Sequence, residues 1–169
     1  MPLDKLPEII EYYGVLADLN SGRIKSELHR VIRPRHRLPS QVAIGLRATR
    51  TITAITGITD EEVLRARTFP EEAEAIFKQL EEAPLVIAQN ASFDREMLDL
   101  EALRMDLELE WPPLICTIEQ SVFYKGYRLN LADLHELLTG ETFEGAHRAK
   151  ADTHALLRCC VEMVKRGDL

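Results

Sequence analysis

Two short apolar runs, "LVIAQ" at 85–89 and "PLICTI" at 113–118, constrain this chain more than anything else in it. Each is too short for a buried helix, and the first leads into a segment with helical spacing, so both read as strands covered on both faces. Strands of that kind need helices packed against them and parallel partners reached by crossovers. The chain ahead of them reads differently. "IIEYYGVLADL" (9–19) is apolar and β-prone, "NSG" (20–22) is turn chemistry, and "RIKSELHRVIRP" (23–34) alternates as far as Pro34, which together predict a β-hairpin. Residues 35–59, interrupted by Pro39 and glycines, are expected to be loop with some helix.

From Asp60 the spacing turns helical: first "DEEVLRA", then 69–83, where Pro70 and the following acids make a good start and Pro84 a stop. Further helices are expected at about 92–106, at 131–140 with Asn130 as cap and Gly140 at the end, and at about 149–166. A hairpin followed by helices alternating with buried strands predicts an α/β domain with a mixed sheet. At 169 residues, without repeats, low-complexity stretches or a linker, the chain is expected to form a single domain.

Composition narrows the function classes. No run approaches the ~18 consecutive apolar residues of a membrane span, and "MPLDKLPEII" lacks the regions of a secretory signal, so a cytoplasmic setting is expected. Cys116, Cys159 and Cys160 show no CxxC spacing, which argues against a disulfide framework or a zinc site; the last two are expected as core filler. The net charge of -7 argues against nucleic-acid binding through a broad basic surface. It leaves open an enzyme that meets phosphates through divalent cations, whose own charge inverts the local field.

Three residues then stand out. Asp152, in the first turn of the last helix, shares a face with Ala155, Leu156, Cys159 and Met163, and so is aimed inward. Asp94 is likewise on the face of Leu98, Ala102 and Met105 in the first turn of its own helix. The bland reading of each is an acid offsetting the helix dipole. Two inward carboxylates at helix starts beside a sheet are also the oxygen ligands that Mg²⁺ or Mn²⁺ uses. His147, five residues before Asp152, is expected on the loop leading into the last helix, where an imidazole suits a general base.

"LVIAQNASFDREML" resembles the second motif of the DEDDh 3′-5′ exonucleases, the family of the proofreading epsilon subunit of bacterial DNA polymerase III, and "AHRAKADTHA" resembles their third motif. "TGITDEEV" (56–63) is similar to the segment preceding the second motif, with Thr56 where the family usually has His. "IIEYYGVLADLNSG" and "RVIRP" match the family's second and third strands, so the resemblance covers nearly the whole chain.

That resemblance implies a ribonuclease H-like mixed sheet flanked by helices, two Mg²⁺ or Mn²⁺ ions, and hydrolytic release of nucleotides from the 3′ end of DNA or RNA. It implies Asp94 and Asp152 as metal ligands, His147 as general base, and Asn90 and Phe93 as walls of the substrate pocket. A DNA polymerase is an implied partner. The family opens with a central strand bearing an Asp-x-Glu pair, and no such pair is found here. Asp4 and Glu8 are four apart and flanked by Pro2 and Pro7. The domain is therefore expected to be N-terminally incomplete, with Met1 an internal methionine of a longer natural chain and a gap between the second and fourth strands. Lacking half of the metal carboxylates, the chain is expected to have little or no activity. The alternatives are a non-catalytic ribonuclease H-like module binding nucleic acid or a polymerase, and a structural α/β domain with capping acids.

Overall fold

The computed structural model describes residues 2–39, 42–44, 48–145 and 148–169. Its first large element is the expected hairpin, β1 (Glu11–Asp18) and β2 (Arg23–Arg33), paired antiparallel. The turn closes because the Asp18 carboxylate accepts the Asn20 and Ser21 N–H groups at 2.9 and 3.1 Å, and Gly22 takes φ +70°, which a side chain would resist.

The Ile32 N–H donates to the Ile10 carbonyl at 2.9 Å, which sets the alternation along the pair. Backbone groups of Tyr12 and Gly14 therefore face β2, whereas those of Glu11, Tyr13 and Val15 face the outer edge. Side chains alternate too. Tyr12 meets α3 (Phe69–Glu81) through Gln79 on one face, and Tyr13 meets α8 (Ala149–Arg166) through His154 on the other.

The segment expected as loop with some helix contains a second small hairpin, β3 (Val42–Ile44) with β4 (Ala48–Arg50), before α1 (Ile52–Thr56). Strands of three residues are fixed by pairing, and their length is too short for a periodic signal. Next come α2 (Asp60–Arg65), opened by a capping box between Thr59 and Glu62, and β5 (Arg67–Thr68), which lies parallel to β2. α3 follows, then β6 (Val86–Ala88), α4 (Ala91–Leu103), and β7 (Leu114–Cys116) parallel to β6. Two four-residue helices, α5 (Thr117–Gln120) and α6 (Val122–Lys125), precede α7 (Leu131–Thr139) and α8. Asn130 caps α7 by accepting the Asp133 N–H at 2.9 Å, and Gly140 ends it.

The fold is thus α/β, but its strands form three sheets among the described residues: the mixed β1–β2–β5 sheet, β3–β4, and β6–β7. Among those residues β1 and β6 are not paired, as expected of this sheet when no strand lies between them. Two clusters form the core. One joins Ile32 of β2, Phe69, Ala73 and Ile76 of α3, and Leu98 of α4; the other joins Leu129, Leu134, Leu138, Cys159 and Met163 between α7 and α8. Cys159 and Cys160 are core filler as expected, unpaired and buried, with burial raising both thiols to about 12.

At the far end of α4, the buried Glu101–Arg104 ion pair (2.7 Å) ties down the start of the chain. Arg104 donates to the carbonyls of Leu3, Leu6 and Pro7, and the Ile9 N–H donates to Glu101 at 3.5 Å. Residues Leu3–Lys5 form a 3-10 turn, and Glu8 accepts the N–H groups of Arg35 and His36, so neither Asp4 nor Glu8 lies on a strand.

Candidate active site

The strand-to-helix turn after β6 sets the geometry. Asn90 adopts φ +64°, ψ +50°, a left-handed conformation that Asn tolerates better than most side chains, and its carbonyl accepts the Phe93 N–H at 2.8 Å. The preceding residue fixes the turn in space. The Gln89 amide accepts from Thr117 Oγ1 at 2.5 Å and donates to the Leu129 carbonyl at 3.1 Å. This turn brings Phe93 out into solvent, 57% exposed, and Asp94 with it.

The expectation that Asp94 points inward is corrected here. Leu98 and Ala102 on its face are buried, but Asp94 is exposed, as are Ser92, Phe93, Arg95 and Glu96 around it, because burial on this helix resumes only at Met97. It is nonetheless surrounded by enough protein that lost hydration raises its carboxyl to about 6. Its charge reaches Tyr12, whose phenol is raised to about 12, first by burial and then by Asp94. The Tyr12 hydroxyl donates to Gln79 Oε1 at 2.8 Å.

Asp152 approaches β1 from the opposite face. It is half-buried in the first turn of α8, and its N–H donates to the Arg148 carbonyl at 3.0 Å. The next residue, Thr153, donates its hydroxyl to the outward-facing Tyr13 carbonyl at 3.4 Å. The start of α8 is held by Glu11, whose carboxylate is 3.6 Å from Arg148, accepts the Ala149 N–H at 3.3 Å, and meets His29 at 3.0 Å. Asp94, at the start of a helix that packs on β6 and β7, is thus on the Tyr12 side of β1, and Asp152, at the start of a helix that packs on β1 itself, on the Tyr13 side.

His147 lies outside the described residues. The segment leading toward it is anchored by His135, a buried residue that sequence reading passed over. Its Nδ1 donates to the Glu141 carbonyl at 2.7 Å, Phe143 packs edge-on at 5.2 Å, and its Nε2 has no hydrogen-bond partner among the described residues. Glu11 was also missed as an anchor. Its only signal was an acid within a strand, and its partners at the start of α8 are about 140 residues away in sequence.

Asp94 and Asp152 are hard oxygen donors of the type Mg²⁺ and Mn²⁺ prefer. Among the described residues, however, no three His, Cys, Asp or Glu side chains come together to hold a metal ion. By themselves they do not amount to a two-ion centre.

The fold is similar to that of several solved structures. The nuclease domain of 3′hExo, described as a DEDDh family member bound to rAMP, superposes with a TM-score of 0.72 at 21% identity, over 95% of this chain and 82% of that one. A 3′-exonuclease recognising the 3′ end of a histone mRNA stem-loop gives 0.72 at 21%, over 95% of this chain; this chain spans only 57% of it. Exonuclease X in complex with 5′-overhanging duplex DNA gives 0.65 at 20%, over 94% and 84%. At these identities the likeness establishes the fold. The family follows from the sequence itself: the exonuclease family model RNase_T matches residues 4–159, and the chain belongs to that family. Among curated proteins none matches the chain.

Proposed function

We propose that the protein acts on the 3′ end of a nucleic-acid strand as a DEDDh-type exonuclease, with its reacting end between Asp94 and Asp152. The observation that carries this reading is the placement of those two acids at the starts of α4 and α8, on opposite sides of β1. In this proposal Asn90 shapes the turn beside the scissile end, and the exposed Phe93 ring takes the terminal base by stacking. His147 accepts the proton of the attacking water. Mg²⁺ or Mn²⁺ would be held by Asp94 and Asp152 together with carboxylates that the described residues do not supply, and would stabilise charge at the phosphate.

DNA and RNA both remain substrates in this proposal, since the solved relatives include complexes with each. A polymerase partner, and with it a proofreading role, finds no support among them. Three free cysteines suit a reducing, cytoplasmic setting, and no described helix is long and apolar enough to cross a membrane.

The test is digestion of a 5′-labelled oligonucleotide with Mn²⁺. Because half of the family's metal carboxylates are absent, shortening from the 3′ end is expected to be weak or nil, and whatever is seen is expected to be lost in Asp94→Asn, Asp152→Asn and His147→Ala. Digestion that survives all three substitutions overturns the assignment. The second reading, a non-catalytic module, is favoured by the absence of a three-donor metal cluster among the described residues. It predicts strand binding without turnover under every metal.

A further inference from the structure

We propose that Phe123, Lys125 and Tyr127, at the tip of the α5–α6 segment, form a stacking platform for the single strand that leads away from the 3′ end. The inference rests on the nucleic-acid reading of the Asp94 site and adds a second contact region to it. Phe123 is 85% exposed and Tyr127 61%, two large rings open to water within five residues. That concentration differs from the scattered exposure of single apolar residues and marks an interaction site. Tyr124 between them behaves in the opposite way. Its ring packs against the α7–α8 core and its hydroxyl donates to Asp168 at 2.7 Å, which fixes the turn's orientation and leaves Phe123 turned out.

The base of the segment is rigid. Ser121 is buried, accepts the Leu129 N–H at 2.8 Å and donates to the Ile118 carbonyl at 2.6 Å. Gln89 joins both ends by bonding Thr117 and Leu129, and Gln89 immediately precedes Asn90, whose turn presents Phe93 and Asp94. The platform therefore stands on the same residue that positions the candidate active site.

Charge selects the occupant. Between Glu119 and Asp133 the sequence has no acid and carries Lys125 and Arg128, in a chain whose net charge is -7. Arg128 is paired with Glu119 at 2.7 Å, and Lys125 is an exposed ammonium between the two rings in sequence. Exposed rings in an acid-free, cation-bearing segment fit unpaired bases and their phosphates; in a duplex the base faces are already stacked on one another.

The experiment is fluorescence anisotropy with 5′-labelled oligothymidylates of 3 and 12 nucleotides, in EDTA so that nothing is digested. The protein is expected to bind the 12-mer, and the Phe123→Ala/Tyr127→Ala double variant to lose about 30-fold in affinity, from two stacking contacts at the weak end of their range. Replacing both rings by Trp restores binding, and Lys125→Ala lowers the salt slope by about one. Binding of the 3-mer should change less than about twofold. Failure of the protein to bind the 12-mer, an unchanged affinity in the double variant, or an equal loss on both lengths overturns the proposal. So does sedimentation showing a dimer that the double variant dissociates while strand binding is unaltered, because the patch then joins two copies. A protein that binds through these rings yet never shortens a strand refutes the exonuclease activity and leaves the platform standing.

Discussion

Replacing Asp94 by Asn separates a functional acid from a capping one through the sign of its effect on stability. Asp94 has a folded-state carboxyl raised from 3.8 to about 6, so the folded protein holds a proton there that the unfolded chain has released. Wild-type stability therefore falls as pH rises from about 4 to about 6, and stays lower above that. Two units would amount to about 3 kcal/mol. The carboxylate is exposed, and solvent screening reduces this to about 1 kcal/mol. Asp94→Asn removes the penalty. Its melting temperature is expected to exceed wild type by about 2–4 °C at pH 7.5 and to match it at pH 3.5. Circular dichroism melts across that range give the result directly. An ordinary first-turn acid predicts the reverse, a loss of about 0.3–1 kcal/mol at neutral pH. An Asn variant that is less stable than wild type at pH 7.5, or whose difference does not change with pH, refutes the reasoning.

Arg104→Ala leaves Glu101 buried without its partner and frees three carbonyls near the start of the chain; a loss of about 3–5 kcal/mol in urea unfolding, with faster proteolysis within residues 2–9, is expected. Gly14→Ala places a methyl 2.3 Å from Gln79 Oε1 and 2.8 Å from the Tyr12 hydroxyl, breaking that contact at a cost of about 1–3 kcal/mol, measured by the same unfolding. Asn90→Ala forces Ala into a left-handed conformation at a cost of about 1–2 kcal/mol, whereas Asn90→Gly leaves the melting temperature within about 2 °C of wild type.

The elements legible in the sequence are those whose own pattern determines them. α8 spans 149–166, as its apolar spacing indicates, and the hairpin follows from an apolar, β-prone run before "NSG" and an alternating one after it. α5 and α6 were not legible. They are four residues each, and they form because Thr117, Ser121 and Gln89 bond across the fold, which no local spacing records. Asp94 shows a different limit. A helical wheel gives the direction around an axis but not whether that face is covered at every turn, so Asp94 can be exposed on the face where Leu98 and Ala102 are buried. The division of the strands into three sheets among the described residues was not legible either, because strand pairing is set by contacts distant in sequence that no local pattern records.

The adjacent thiols of Cys159 and Cys160 make the helical layer its own clock. Both are buried and both are held far above neutral pH in their protonated form, so a thiol reagent meets them only when α8 lifts from its neighbours. Half-buried Cys116, at the end of β7, is shielded far less. One labelling time course therefore separates local access from the opening of the layer that carries Asp152, with no probe added to the protein.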